Sequence, residues 1–336
     1  MDPQQEEKTL TPVRDLLEEI RRSPDPRAAL DRHAYHGPEE SEKELLRRQG
    51  YEVYQGKVRE LARKDGELLI YHTDRLTAFD KYIDMIPYKG TILAGITRFW
   101  MAEAEKIMPT HYLGAPHERL LKVRAMNPYK VEVIVRGYMA GSMMRAYDKG
   151  ERLFCGAALP DGLKSWGKLP ENIITPTTKA AAFEHDEDAT PDELIEQGVC
   201  TRAEWEEISS KALELFARGQ EVYQEKGWIL VDTKYEFGKD DKGQIFVIDE
   251  VHTPDSSRLW TAATMESRLS AGQAPDMLDK EIVRRWLMEN GFKGEGKPPE
   301  VPVETLIALA ETYLDVAERL MGEPLLSSGP VSGSLT

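Results

Sequence analysis

The sequence is short of cysteine, of basic residues and of long apolar runs. Its two cysteines, Cys155 and Cys200, lie far apart and lack the spacing of a metal site, so we expect two reduced thiols. No apolar run approaches the length of a transmembrane helix. The first residues, MDPQQEEKTL, are acidic and polar, unlike a signal or transit peptide. These features predict a cytoplasmic protein.

Acidic residues outnumber basic ones, with 59 Asp and Glu against 44 Lys and Arg, which gives a net charge of -15. This balance argues against a nucleic acid or an anionic membrane as the main partner. An anionic substrate would therefore have to be bound by a local cluster of basic groups or through a metal ion. The chain has 336 residues, enough for two packed lobes or one large domain.

The first fifty residues have helical patterns and no arrangement that suggests chemistry. Thr11 and Pro12 suit the N-cap and first position of a helix whose apolar stripe is Val13, Leu16, Leu17 and Ile20. Ser41 and Glu44 have the spacing of a capping box for a second helix. We interpret this segment as an extension for packing or for contact between copies of the chain.

Residues 228–260 have the pattern of a β-hairpin with an unusual number of charges. If the turn is the four-residue loop 240–243, then Lys234 pairs with Asp249, and Lys234, Glu236 and Asp249 share one face. Two carboxylates and an ammonium on one patch suit a divalent cation with phosphate ligands. A loop one residue longer or shorter would put the two carboxylates on opposite faces. A solvated face with a cross-strand salt bridge is the alternative interpretation.

Two other segments combine glycine with basic residues, as phosphate sites often do. Gly56 and Lys57 lie within a predicted strand, although the rest of a P-loop sequence is missing. Arg136 ends another predicted strand, and Gly141 and Ser142 follow at the start of a predicted helix. An ordinary exposed strand and an ordinary helix cap explain these two patterns equally well.

Polar loops supply the remaining candidates. The loop at 253–258 is fixed by Pro254 and offers Asp255, Ser256 and Arg258 together, and arginine is suited to bidentate phosphate binding. The segment 184–187 is Glu-His-Asp-Glu, but its spacing does not match a zinc site, and a solvated acidic loop is the more common structure.

Several of these segments together resemble one enzyme family. DTKYEFG and DEVHTPDSSRLW are similar to the signature of the SAICAR synthetases, the phosphoribosylaminoimidazole-succinocarboxamide synthases. GKVREL, TDRLTAFD, VEVIVRGYMAGS and ITPTTKA with EHDE resemble other family segments in the same order. The similarity runs from about Tyr51 to Gly322. The chain departs from it at Ala181, where an acid is usual, at Phe183, and in its first fifty residues.

The resemblance implies an ATP-dependent ligase of purine biosynthesis. It would join the carboxylate of carboxyaminoimidazole ribotide (CAIR) to the amine of L-aspartate with ATP and Mg²⁺, through an acyl phosphate. The resemblance implies the following roles for residues: Glu236 and Asp249 for Mg²⁺ and ATP; Gly56, Lys57 and Arg59 for the ATP phosphates; Arg136, Ser142 and Arg258 for the ribotide phosphate; Ser256, His185 and Asp186 for the rest of the ribotide; and Lys234, Asp255 and Lys179 for catalysis.

The resemblance also implies an α+β fold with a small kinase-like antiparallel β lobe, a larger α+β lobe with a second antiparallel sheet, and an ATP cleft between them. We divide the chain accordingly into an extension (1–50), a nucleotide lobe (51–126), a larger lobe (127–272), C-terminal helices (273–324) and a flexible tail (325–336).

Two rival functions remain open at this point. A kinase-type phosphotransferase is disfavoured because the sequence has no HRD or DFG motif. A non-catalytic nucleotide-binding scaffold is disfavoured because the acidic and basic candidates are all retained. The expected partners are ATP, CAIR and L-aspartate, without nucleic acid or membrane, and association into a homo-oligomer is left open.

Overall fold

The computed structural model describes residues 10–179 and 187–330. As expected, the fold is α+β with antiparallel sheets. The chain forms two compact units. Unit 1 takes its described residues from Met1–Ile96, Leu113–Val123 and Val283–Thr336, and unit 2 from Thr97–Tyr112 and Arg124–Ile282. The five-part division made from the sequence remains a proposal.

Helices and mostly short strands alternate along the described part of the chain. The helices are α1 (Val13–Arg22), α2 (Pro26–His33), α3 (Glu40–Arg48), α4 (Lys89–Ala104), α5 (Gly141–Asp148), α6 (Pro191–Glu196), α7 (Arg202–Glu225), α8 (Ala262–Ser270), α9 (Glu281–Glu289) and α10 (Val303–Met321). The strands are β1 (Thr11–Pro12), β2 (Glu52–Gln55), β3 (Arg59–Lys64), β4 (Glu67–His72), β5 (Arg75–Ala78), β6 (Lys81–Met85), β7 (Tyr112–His117), β8 (Leu120–Arg124), β9 (Asn127–Pro128), β10 (Val131–Tyr138), β11 (Leu153–Phe154), β12 (Ala157–Ala158), β13 (Lys168–Ile174), β14 (Thr177–Thr178), β15 (Trp228–Lys239), β16 (Ile245–Ile248), β17 (Ser257–Thr261) and β18 (Leu326–Ser327). None of these helices is both long enough and apolar enough to cross a membrane.

Unit 1 is built on a five-stranded sheet in the order β2-β3-β4-β8-β7. The hairpin of β3 and β4 turns at Asp65 and Gly66. The N-terminal helices α1 and α2 pack against the C-terminal helix α10. The predicted stripe of α1 is buried in this packing: Val13, Leu16, Leu17 and Ile20. The described part of the first fifty residues therefore contributes to the core of unit 1.

Two expectations for helix caps in unit 1 are wrong. Thr11 does not cap α1, because Thr11 and Pro12 form β1 and pair with β18. Ser41 does not cap α3, because the helix already begins at Glu40. Within the segment predicted as a tail, Leu325 is buried, and Ser327 and Ser328 donate hydrogen bonds to Glu118 at 3.0 and 2.9 Å.

Unit 2 is organised around the long strand β15. The sheet runs β13-β10-β15-β16, and β17 pairs with the first half of β15. Helix α7 packs on β15 and β10, and Thr201 and Glu204 form a capping box at its start. Because side chains alternate along a strand, one face of the sheet carries the buried apolar residues Val133, Val135, Tyr235 and Phe237. The other face is left for charged side chains.

Candidate active site

The charged face of the unit 2 sheet carries a row of three ionic side chains in neighbouring strands. Asp232 of β15 is directly opposite Arg136 of β10 and Arg258 of β17. Its Oδ2 accepts from Arg136 Nη1 at 3.3 Å and from Arg258 Nη1 at 2.7 Å. Arg136 and Asp232 are buried, and the charge of Asp232 raises the pKa of Arg258. Two guanidinium groups are thus held side by side by one carboxylate.

The start of α5 and the end of β13 complete the surroundings of this row. Arg136 donates from Nη2 to Ser142 Oγ at 3.2 Å and from Nε to Thr175 Oγ1 at 2.8 Å. Gly141 has a φ of +61°, and a Cβ there would lie 2.7 Å from Arg258 Nη2. Only glycine lets the helix begin this close to the guanidinium. Arg136, Ser142 and Arg258, predicted as one cluster, do lie together.

A second cluster surrounds the ammonium group of Lys234, one position along the same face. Its Nζ lies 2.7 Å from Glu236 Oε1, 3.1 Å from Glu132 Oε1 and 3.9 Å from Asp249 Oδ2. Lys179 approaches the other oxygen of Glu236, with Nζ 2.5 Å from Oε2. Three carboxylates and two ammonium groups therefore meet at one place.

The charges within this cluster fix its protonation states. Burial acts to raise the pKa of Glu236, but Lys234 and Lys179 outweigh it and lower that pKa to about 2. Burial likewise acts to lower the pKa of Lys234, but Glu236 and Glu132 outweigh it and raise that pKa above its ordinary value. At neutral pH Glu236 is a carboxylate and Lys234 an ammonium. Lys234 can stabilise negative charge there, and it cannot accept a proton.

The predicted register of the central hairpin is wrong. Lys239 pairs with Ile245 and Glu236 with Ile248, so the loop has five residues, from Asp240 to Gln244. Asp240 stabilises this longer loop, since its Oδ1 accepts the backbone N–H groups of Lys242 and Gln244, each at 2.9 Å.

Asp249 nevertheless lies beside Lys234 and Glu236, but strand alternation is not the reason. Strand β16 ends at Ile248, and Asp249 takes a left-handed φ of 65°. Aspartate is among the few residues that tolerate this conformation. The change of direction brings its carboxylate back to the face from which strict alternation would remove it. The expected group of side chains forms, although the expected loop does not.

The loop at 253–258 is ordered by Thr253, which no sequence pattern marks as a functional residue. Thr253 Oγ1 donates to Glu250 Oε2 at 2.7 Å, and Ser256 N donates to Thr253 O at 3.1 Å. Asp255 is near Lys280, with Oδ2 and Nζ 4.0 Å apart. Ser256 O accepts from the backbone N–H of Lys234 at 3.0 Å. The loop therefore presents Asp255 and Ser256 beside the strand that carries Lys234.

His252, inside the same signature, is a core residue. Its ring contacts Trp100 edge-on, with centroids 4.4 Å apart, and its Nε2 is hydrogen-bonded to the Tyr235 hydroxyl. Burial lowers the pKa of His252 to about 3. The imidazole is therefore neutral at physiological pH and supports the apolar side of the sheet.

We expect His252 to make the fold sensitive to acid. Because its pKa is below the unfolded value of 6.5, the unfolded chain binds an extra proton between pH 6.5 and 3, and stability falls as the pH drops through this window. The contribution is up to about 1.4 kcal/mol per pH unit. Urea unfolding at pH 7 and pH 5 should show a smaller acid loss in His252→Phe than in the wild type. A His36→Gln control changes an exposed histidine and should keep the wild-type loss. An equal acid loss in His252→Phe would contradict the assignment.

The glycine–lysine segment of unit 1 lies in a turn and not within a strand. Gly56 follows β2 and its N–H donates to Arg59 O at 2.8 Å, which closes the turn into β3. Lys57 is half exposed, and its Nζ lies 3.0 Å from Asp80 Oδ1. Arg59 begins β3 opposite His72. The prediction that these residues meet ATP phosphates remains a prediction.

Some predicted site residues lie outside the described residues, and two site residues of the structure were not predicted. His185 and Asp186, and the departures Ala181 and Phe183, belong to the segment 180–186, which is outside the described residues. Asp232 and Glu132 were not predicted from the sequence as site residues. Strand alternation places Asp232 on the same face as Lys234, and Glu132 on the same face as Arg136. Among residues 10–179 and 187–330, no group of three or more His, Cys, Asp and Glu residues is arranged to hold a metal ion.

The two cysteines are free, as expected, and neither is activated. Burial raises the pKa of Cys155 to about 12 and also raises that of Cys200. A thiol with a raised pKa is a poor nucleophile at neutral pH. We expect the double variant Cys155→Ser, Cys200→Ser to retain wild-type turnover. Loss of turnover with an unchanged circular dichroism spectrum would show that a thiol is needed.

Comparison with known proteins agrees with this architecture. The family model for SAICAR synthetase matches residues 52–301. A phosphoribosylaminoimidazole-succinocarboxamide synthase of Bacteroides fragilis is 44% identical over 275 residues, which cover 81% of this chain and 87% of the relative. The structure of SAICAR synthase from Saccharomyces cerevisiae complexed with SAICAR has a TM-score of 0.71 and 30% identity, covering 82% of this chain and 96% of that one. A SAICAR synthetase in complex with ADP has a TM-score of 0.62 and 28% identity, covering 81% and 99%.

These matches place the chain among the ATP-dependent carbon–nitrogen ligases, so it is an enzyme. It belongs to the SAICAR synthetase family, whose members join CAIR to L-aspartate in purine biosynthesis. The rival functions of phosphotransferase and non-catalytic scaffold find no support in the comparisons.

Proposed function

We propose that the chain joins CAIR to L-aspartate on the charged face of the unit 2 sheet, through an acyl phosphate. A carboxylate is a poor acylating agent, so its oxygen first attacks the γ-phosphorus of ATP and ADP leaves. The amine of aspartate then attacks the acyl carbon, loses a proton and expels inorganic phosphate. The observation that carries the proposal is the placement of a paired-arginine row beside a carboxylate–lysine cluster on one sheet face.

The arginine row is the proposed site for the 5′-phosphate of the ribotide. Arg136 and Arg258 are already side by side, and Ser142 adds a hydroxyl at the start of α5. Asp232 compensates part of their charge and so keeps the two guanidinium groups together without a ligand. A phosphate dianion would be met by charge-assisted hydrogen bonds, which are the stronger kind.

The carboxylate cluster is the proposed place for Mg²⁺, with Glu236 and Asp249 as the residues that would hold it. Their fit rests on chemistry: Mg²⁺ prefers carboxylate oxygens, and Glu236 is ionised at any physiological pH. When bound, Mg²⁺ would neutralise charge on the ATP phosphates. Lys57 of unit 1 is proposed to bind ATP phosphates as well, with Gly56 and Arg59 forming its turn.

The remaining residues are proposed to orient and stabilise the reacting groups. Lys234 and Lys179 carry the positive charge that phosphoryl transfer needs, since that reaction depends on alignment and charge neutralisation. Asp255 and Ser256 would orient substrate hydroxyls or the incoming amine. His185 and Asp186 keep their expected role toward the ribotide. A cytoplasmic location remains a prediction.

An isotope experiment tests the acyl phosphate directly. With CAIR labelled by ¹⁸O in its carboxylate, each turnover should transfer one labelled oxygen to the released phosphate, and ADP should accumulate only when ribotide and aspartate are both present. A phosphotransferase would release no phosphate, and a scaffold would form no ADP. Unlabelled phosphate at full turnover would exclude the proposed intermediate.

A further inference from the structure

The N-terminal extension meets the nucleotide lobe through its backbone at residues 35–37. Tyr35 N donates to Asp74 Oδ2 at 2.9 Å, and Asp74 N donates to Tyr35 O at 2.9 Å. Asp74 is fully buried and also accepts from Arg119 Nη1 at 2.7 Å. These hydrogen bonds hold the extension against Asp74, the residue directly before β5. The first residue of β5 is Arg75.

Arg75 connects the extension to the turn that contains Lys57. Its Nη1 donates to His36 O at 3.2 Å and to Glu60 Oε1 at 2.8 Å. Its Nη2 donates to Gly56 O at 3.2 Å. One planar guanidinium therefore joins the extension, strand β3 and the turn at Gly56. A lysine could not make all three contacts, because it lacks the fork.

Gly37 and Glu60 make this connection tight. Gly37 has a φ of +121°, and a Cβ there would lie 2.6 Å from Cγ of Glu60. The Glu60 side chain is almost fully buried, and Lys43 of α3 approaches its Oε2 at 3.8 Å. Moving one member of a buried ion pair is costly, since it leaves the other uncompensated. The extension thus covers the Glu60–Arg75 pair from two sides.

We infer that residues 35–37 position the Gly56–Lys57 turn through Glu60 and Arg75, and so set the affinity for the ATP phosphates. The extension thereby contributes to nucleotide binding, and Arg75 acts as a positioning residue. The inference rests on the proposed role of Lys57 toward ATP. It accounts for why a segment absent from the family resemblance is built into the core of unit 1.

The test compares Michaelis constants for ATP and for the ribotide in four full-length variants. Lys57→Ala tests the role of the turn itself. Gly37→Ala pushes a methyl group against Glu60, and Arg75→Lys keeps the charge but removes the fork. Gly66→Ala is the matched control: its φ is +78°, and nothing lies within 4 Å of the added methyl group, so it adds strain without contact.

We expect Gly37→Ala and Arg75→Lys each to raise the Michaelis constant for ATP roughly three- to tenfold, the effect of one lost hydrogen bond. The ribotide constant should stay near the wild-type value, and Gly66→Ala should change neither. An unchanged ATP constant in Lys57→Ala overturns the proposed role of the turn. A raised constant there, with no change in Gly37→Ala and Arg75→Lys, overturns the positioning alone. An equal rise of both constants in Arg75→Lys also overturns it, because that pattern indicates general loss of structure.

Discussion

Asp249→Asn is expected to lower turnover by roughly a hundredfold or more while leaving the fold intact. The substitution removes one of the two carboxylates proposed to hold Mg²⁺. Asparagine tolerates a left-handed φ as well as aspartate does, so the backbone at 65° should be kept. The measurement is steady-state turnover at saturating ATP over a range of Mg²⁺ concentrations, with circular dichroism as the check on folding.

The exposed Asp241 in the hairpin loop provides the matched control, since Asp241→Asn removes the same charge from the same hairpin. It should keep wild-type turnover. Wild-type turnover and Mg²⁺ dependence in Asp249→Asn would show that this carboxylate has no part in binding the metal.

Arg136→Ala and Arg258→Ala should each raise the Michaelis constant for the ribotide about ten- to a hundredfold. Each loses charge-assisted hydrogen bonds to the phosphate, and such bonds contribute roughly 1.5–3 kcal/mol. The constant for ATP should change much less. Arg258→Lys should recover only part of the loss, because an ammonium cannot bind the phosphate in a bidentate manner.

Arg145, on the exposed side of α5, is the control for removing an arginine near this site. Arg145→Ala should leave both constants unchanged. The fall in stability of Arg136→Ala should exceed that of Arg258→Ala, because Arg136 is the more deeply buried partner of Asp232. If ATP affinity falls and ribotide affinity does not, the phosphate has been assigned to the wrong residues.

The central hairpin shows which structural features a local sequence pattern can predict and which it cannot. Its two strands, its charged face and the placement of Lys234 and Glu236 on that face follow from residue types and alternation. The loop length does not, because it depends on whether Asp240 closes a four- or a five-residue turn. The left-handed backbone of Asp249 compensates for that error, and no sequence pattern marks it.

Contacts between residues that are far apart in the chain could not be predicted from local sequence patterns. Asp232 lies 96 residues from Arg136, and the sequence holds no sign that the two share an ion pair. The N-terminal extension is interpreted from the sequence as a segment for packing or for contact between copies. The sequence does not show where it packs, because its anchoring depends on Asp74 and Arg75, which are remote in the chain. The two helix caps expected in the first fifty residues fail for different reasons: Thr11 pairs with β18, and α3 already begins at Glu40, before Ser41.

The discontinuous course of unit 1 has a consequence for synthesis on the ribosome. Helix α1 is made well before α10, on which it packs and whose last residue is Met321. Unit 2 is complete in sequence at Ile282. Domains generally fold as their chain emerges, N-terminal first. In this chain the order is reversed: the segment between the early helices and their partner must be made, and can fold, before unit 1 has all of its core.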